Sequence, residues 1–343
     1  MKKINISLIG CGAMGRNHAT AWSQHVDNAE VISVFDPDAD ARKAVAEEFG
    51  AAAYDTYQAA IDHDGVTAVS VCTPTPFRCE TTCYAASRGK HILCEKPLAA
   101  SREDCDAMVE AAERNGVHLC VGHQFREWAR NQRVKQAYEA GKFGSPLFGL
   151  YTAVAEVRPK LAMHRNSMNR GPVLDMAPHF IDLMRYFTGA NPTHVFATGA
   201  IFGADKPRLA SIEDDDRAID AAHVHVRYQN GHALTVEVVW GMPEGFNGGE
   251  SEENIIGPRG RMRKVGPNTE LFFGQDEVET LEKTEFSAAP RITDLARAIT
   301  EGRAPTVTGE DGRISACTAL AALESIKTGQ VVTLDFESSS AKP

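Results

Sequence analysis

The sequence predicts an α/β protein in two parts: a doubly wound parallel sheet with helices on both faces, then an α+β region on a mostly antiparallel open sheet. Three observations carry this. Over residues 1–123 short apolar strands alternate with amphipathic helices at short spacing, the pattern of a parallel sheet covered on both sides. Beyond residue 123 the apolar residues alternate with polar ones at period two, the pattern of strands with one face covered. Asn230-Gly231 then falls between two such runs, a strong hairpin signal.

In the first part, strands are expected at 4–9, 31–35, 66–72, 91–94 and 117–121, and helices at 15–25, 38–49, 78–88 and 102–115. In the second, a helix near 128–140 precedes strand-like segments at 147–157, 194–201, 223–228, 233–240, 254–256 and 271–273. A length of 343 residues suits two domains at roughly 150 residues each. We place them at 1–123 and 124–335, with a flexible polar tail at 336–343.

Composition narrows the function classes. A net charge of -10 argues against a nucleic-acid binder, which needs clustered Lys and Arg, but leaves small anionic ligands open. The apolar stretch after Lys2 and Lys3 is too short for the core of a signal peptide, and no run reaches membrane-span length. Eight cysteines without a paired CxxC motif fit free thiols in a reducing compartment, so the cytoplasm is expected. His223 and His225 share one face of a strand, but no Asp, Glu or Cys completes a site in that run, and no metal is expected.

The chemistry starts at the first strand end. Ile4–Ile9 breaks into Gly10-Cys11-Gly12-Ala13-Met14-Gly15, which fits a dinucleotide loop. Gly10 makes the tight turn, Gly12 lets a pyrophosphate approach the backbone, and Gly15 lets the helix pack closely, with phosphate charge at the helix N-terminus. A second strand, Val31–Phe35, ends in Asp36, about 20 residues on, where an acid can accept both adenosine ribose hydroxyls of NAD and would repel the 2′-phosphate of NADP. NAD is the expected cofactor. Residues just after parallel strands face the ligand, so Thr73, Pro74, Glu95, Lys96 and His123 join the candidate set.

Two constellations can move protons. Glu95-Lys96-Pro97 puts a charged pair at the end of an apolar strand, and the proline disfavours helix at Lys96; from position alone, the pair pointing to solvent stays open. Asp175 and His179 are four apart and would share one helix face if a helix starts at Asp175, with Pro178 in its first turn and Asp182 near the same face. A capping Asp beside a buried, satisfied His is the alternative. Arg126, Arg158, His164, Arg165 and Asn166 lie on segments able to line a substrate pocket, and an arginine cluster would suit a carboxylate or phosphate.

Together these residues resemble the Gfo/Idh/MocA oxidoreductases. The match runs through Gly10–Gly15, Thr73-Pro74, Glu95-Lys96-Pro97, Gly122-His123, Asp175 with His179, and the closing Thr308-Gly309-Glu310-Asp311-Gly312. The resemblance implies a Rossmann domain followed by an α/β domain whose open sheet serves for oligomerisation, hence a homodimer or homotetramer. It also implies a catalytic group of Lys96, Asp175 and His179; from their positions in the chain, His123, Arg126 and Arg158 are expected as further substrate contacts. The sequence departs from that pattern at Thr75, Arg78 and Asn169-Arg170. The expected activity is NAD-dependent oxidation of a secondary hydroxyl on a sugar or cyclic polyol, an inositol or aldose first. An NADPH-dependent keto-sugar reductase and a non-catalytic NAD or sugar sensor are the alternatives.

Overall fold

The computed structural model describes residues 3–249, 251–274, 277–282 and 287–336, so most of the expected tail lies outside the described residues. The chain divides into two compact units, Met1–Gln124 with Phe286–Arg313, and Phe125–Glu285 with Ile314–Pro343. The return of Phe286–Arg313 to the first unit is absent from the expected pair of continuous domains, because nothing local in that segment marks which core it joins.

In chain order the elements are β1 (Ile4–Ile9), α1 (Ala13–His25), β2 (Ala29–Phe35), α2 (Ala39–Phe49), β3 (Ala52–Tyr54), α3 (Tyr57–Ile61), β4 (Ala68–Val71), α4 (Arg78–Ser87), β5 (His91–Cys94), α5 (Arg102–Arg114) and β6 (Leu119–Val121). There follow α6 (Ala129–Glu139), β7 (Phe148–Glu156), α7 (Gly171–Asp175), α8 (Ala177–Thr188), β8 (Pro192–Ala200), β9 (Ala221–Tyr228) and β10 (Ala233–Met242). The chain ends with β11 (Glu253–Gly257), β12 (Gly260–Val265), β13 (Asn268–Phe273), β14 (Glu277–Leu281), α9 (Ala289–Glu301), α10 (Gly309–Thr328) and β15 (Val332–Thr333).

The first unit holds a parallel sheet in the order β3-β2-β1-β4-β5-β6. Its central strand β1 is buried on both faces, with Ile4, Ile6 and Leu8 on one and Ser7 and Ile9 on the other, as a sheet covered on both sides requires. Trp22 of α1 is buried and donates its indole N–H to Ser70 Oγ at 2.9 Å, which locks helix to sheet. The strand order reverses between β1 and β4, and in such sheets ligands bind outside the carboxyl ends at that point. Short β3 and α3 had no sequence signal, being too brief to show a period.

The second unit is built on a mixed sheet ordered β14-β13-β12-β11-β7-β10-β9-β8-β15, in which only β7 and β10 run parallel among the described strands. Asn230 and Gly231 both adopt positive φ, 59° and 81°, and turn β9 into antiparallel β10 as the hairpin reading expects. Val236, Val238 and Trp240 are buried on one face of β10, while Thr235 and Glu237 lie on the other, half exposed. Among the described residues no helix is long and apolar enough to cross a membrane.

Candidate functional site

The loop after β1 is shaped for close backbone approach. Gly10 has φ +101°, and a Cβ there would sit 2.8 Å from the Cys72 carbonyl group. A Cβ at Gly15 would lie 1.9 Å from the Gly10 carbonyl oxygen, so only glycine lets α1 start this close to β1. Gly12, the N-cap of α1, meets nothing within 4 Å, no side chain caps the helix, and its first turn, with Ala13 and Met14, holds no acid. The amide groups at this end are therefore free to receive an anionic pyrophosphate.

Asp36 follows β2 beside that loop. Its Oδ2 accepts the Cys11 N–H at 2.7 Å and its Oδ1 accepts the Asp38 N–H at 2.9 Å, which fixes the carboxylate against the glycine turn. Arg42, a basic side chain beside Asp36 that could favour a 2′-phosphate, instead donates to the Asp36 carbonyl at 2.7 Å and to Asp55 at 2.5 Å. This donor set fits NAD.

On the other side of the strand-order reversal, Thr73 is buried, and Arg78 donates to the Thr73 carbonyl at 3.0 Å and to the Pro97 carbonyl. Arg78 thus ties together the loops after β4 and β5 that carry Thr73, Pro74 and Lys96. Glu95, a candidate cofactor contact, has its carboxylate buried, accepting from His18 Nε2 at 3.1 Å and from Arg291 at 3.3 Å. Burial opposes its ionisation, but the His18 hydrogen bond and the Arg291 and Lys96 charges outweigh it and hold the carboxyl well below the usual range. A Cβ at Gly122 would come within 2.8 Å of this carboxylate, so Gly122 makes room for it. Lys96 itself is half-buried, joined to Pro97 by a cis peptide. His123 is buried directly after Gly122.

The second unit carries Asp175 and His179, and not on one helix. Asp175 ends α7, the chain breaks at Met176, and α8 begins at Ala177. Pro178 has no N–H to offer the Leu174 carbonyl, which interrupts the ladder there, and the His179 N–H bonds the Met176 carbonyl at 3.1 Å. The expected shared face of one continuous helix is therefore corrected to a helix end followed by a helix start. Both side chains are buried, and the His179 ring stacks on Phe125 at 4.3 Å and 13°. Asp182, expected near the Asp175 face, instead takes both prongs of Arg126, at 2.8 and 2.5 Å. Arg126, a candidate substrate contact, thus has its guanidinium buried against Asp182 of α8.

Arg158 and His164 stay uncommitted by comparison. The Arg158 backbone N–H donates to His164 Nε2 at 3.0 Å, and its guanidinium lies over the Trp240 ring at 5.7 Å. Arg165 and Asn166 are drawn to the Asp215–Arg217 turn, Arg165 to Asp216 at 2.9 Å. Arg170, one of the departures from the resembled family, takes the left-handed conformation at φ 59° just before Gly171 at φ +73°. His223 reaches Glu237 across the strand pair at 3.6 Å, a neighbour that a single strand could not reveal.

Sequence reasoning missed His18, Arg291 and the Arg78 clamp. The buried ends of apolar strands offered the signal: a charged Glu95 there demands partners, but their positions, 77 and 196 residues away, are set by the fold.

Comparison with known proteins completes the picture. Residues 4–123 match the model of an oxidoreductase family with NAD-binding Rossmann fold, and residues 163–334 match that family's C-terminal alpha/beta domain. The chain is 27% identical to myo-inositol 2-dehydrogenase of Thermotoga maritima over 343 residues, 97% of this chain and 99% of that protein. It is likewise 27% identical to scyllo-inositol 2-dehydrogenase (NAD(+)) of Bacillus subtilis over 347 residues, 98% of this chain and 97% of that protein. The fold superposes on the WlbA dehydrogenase of Bordetella pertussis in complex with NADH and UDP-GlcNAcA, with a TM-score of 0.81 at 23% identity, covering 98% and 100% of the two chains. With both halves matched in order, this chain belongs to the Gfo/Idh/MocA family of NAD-binding oxidoreductases.

Proposed function

We propose that the protein oxidises a secondary hydroxyl of a sugar or cyclic polyol, with NAD accepting the hydride. The observation that carries this is the pairing of an open, uncapped glycine cradle fixed to Asp36 with a lysine at the end of β5, tied down by Arg78 and by the Glu95 network. The inositol dehydrogenases among its relatives support the substrate class. When bound, NAD supplies the hydride acceptor; Gly10, Gly12, Ala13, Met14 and Gly15 would hold its pyrophosphate and Asp36 its ribose.

The protein's own task is the hydroxyl proton. His179 takes that proton, its ring plane fixed by Phe125. The Lys96 ammonium stabilises the charge that develops on the oxygen, and Asp175 orients the hydroxyl. Thr73, Pro74 and His123 line the ligand end of the first sheet. Mixing the protein with NAD and a panel of inositols and aldoses tests this: NADH forms with at least one, and no NADH from any compound despite NAD binding would reject it.

Partner and location complete the reading. Phe148, Leu150 and Ile256 are exposed and neighbour one another through the sheet register, and exposed Phe196 lies in the row of Leu150 beyond Thr235 and His225, which leaves apolar groups on the open face. A second copy of the chain covering it gives a homodimer or homotetramer in the cytoplasm. A monomeric mass by light scattering at micromolar protein would contradict that assembly.

A further inference from the structure

In the second unit two buried nitrogens, His164 Nδ1 and Arg158 Nε, have no hydrogen-bond partner among the described residues. His164 is only 2% exposed; its Nε2 accepts from the Arg158 backbone, so the neutral ring carries its proton on Nδ1, and that nitrogen has no hydrogen-bond partner among the described residues. The Arg158 guanidinium is half-buried over Trp240, its Nε enclosed and unbonded, and it meets no carboxylate among the described residues. The two share one platform, since the His164 ring meets the same indole edge-on at 6.2 Å.

Leaving buried donors unmet costs about 1–3 kcal/mol each. Nearby carboxylates do not relieve it. Asp220 accepts the Phe202 and Gly203 amides at 2.6 and 2.9 Å, Glu244 is held by Arg208 at 2.9 Å, and Asp216 by Arg165. The turn carrying His164 packs against α7, whose last residue is Asp175, and α7 packs against β10, which carries Trp240. The vacant donors therefore lie beside the element that presents a proposed substrate-orienting carboxylate.

We propose that Arg158 and His164 form a carboxylate subsite, so that the substrate is a sugar acid or polyol acid rather than a neutral sugar. A guanidinium fork offers two parallel N–H groups matched to a planar carboxylate, and the imidazole N–H adds a third donor without adding charge. One cation and one neutral donor suit a monoanion; a phosphate dianion would call for a second cation. The indole beneath gives the sugar ring an apolar face to rest on. This narrows the hydroxyl oxidation proposed above and rests on it for the reaction, though not for the binding.

Calorimetric titration of the NADH-loaded protein with D-glucuronate, D-galacturonate, D-glucose and glucose 6-phosphate tests the subsite, with NADH formation from NAD and the same compounds followed in parallel. The expected result is an acid bound at least about tenfold more tightly than its neutral counterpart. Arg158→Gln abolishes that preference and Arg158→Lys retains part of it, both with the wild-type unfolding midpoint. Equal binding of acid and neutral sugar, no binding of either acid, tighter binding of the phosphate, or a preference that survives Arg158→Gln overturns the subsite. Oxidation of neutral sugars alone likewise rejects the subsite and leaves the dehydrogenase reading standing. Acid binding with no NADH from any compound rejects the oxidation reading and upholds the subsite.

Discussion

The cofactor cradle and the α7–α8 segment use opposite means to place their polar groups. Around the cradle the constraints are set by backbone: Asp36 is fixed by the amides of Cys11 and Asp38, and Gly10 and Gly15 are required by clashes with the backbone of Cys72 and Gly10. At α7–α8 side chains do the work: the Asp182 carboxylate accepts from the Arg126 guanidinium, 56 residues away, while a left-handed Arg170 and Gly171 lead the chain into α7. Backbone contacts of the first kind leave a readable glycine motif in the sequence, whereas a side-chain pair such as Arg126–Asp182 exists only once distant segments meet.

Lys96→Ala carries the largest expected effect. Losing the ammonium lowers kcat by about 10²–10⁴ while NAD affinity, which rests on the cradle, stays within about twofold. Steady-state kinetics beside equilibrium NAD binding checks this, and a loss confined to NAD affinity would move Lys96 from the chemistry to the cradle. Next comes Asp182→Ala, which strands a buried guanidinium and costs about 3–5 kcal/mol of unfolding free energy in urea. If stability hardly moves and only substrate affinity falls, Arg126 is a substrate contact after all.

Asp36→Ser sharpens the other side of the comparison. Removing the ribose acceptor weakens NAD by about tenfold and narrows the gap between NAD and NADP. Fluorescence titration with both nucleotides measures it; an unchanged NAD-to-NADP ratio would show that Asp36 serves only the turn.

Acid stability gives a smaller effect. Burial lowers the proton affinity of His18 in the folded state, so the unfolded chain binds a proton first as pH falls below about 6.5. Glu95, held ionised, acts in the same direction at lower pH. Unfolding free energy is therefore fully present above that range and falls on acidification, by at most about 1.4 kcal/mol per pH unit for each histidine. Urea unfolding between about pH 8 and about pH 5 follows it. His18→Gln keeps a donor for Glu95 and flattens the slope; stability that rises on acidification contradicts the buried neutral ring.

The same contrast explains what could be read from the sequence. The strands and helices of the first sheet, the glycine turn and the Asn230-Gly231 hairpin were legible because each depends on spacing within a few residues. The helix end at Asp175 was misread because Pro178 is compatible both with the first turn of one helix and with a break between two, and only the Met176 conformation decides. The partners of Arg126 and Glu95 were not legible, because sequence shows a charge but not the distant Asp182, His18 or Arg291 that pairs with it. Return of Phe286–Arg313 to the first unit, which brings Arg291 beneath Glu95, lies on the same far side of that limit.

The central claim is hydride transfer to NAD, with Lys96 and His179 handling the substrate oxygen and its proton. We would follow NADH formation by wild-type, Lys96→Ala and His179→Ala proteins with NAD and a panel of inositols, aldoses and sugar acids. NADH from at least one compound with the wild type, and a loss of about 10² or more in both variants with NAD binding retained, is the expected result. Wild-type turnover matched by either variant, or no net NADH from any compound, contradicts it.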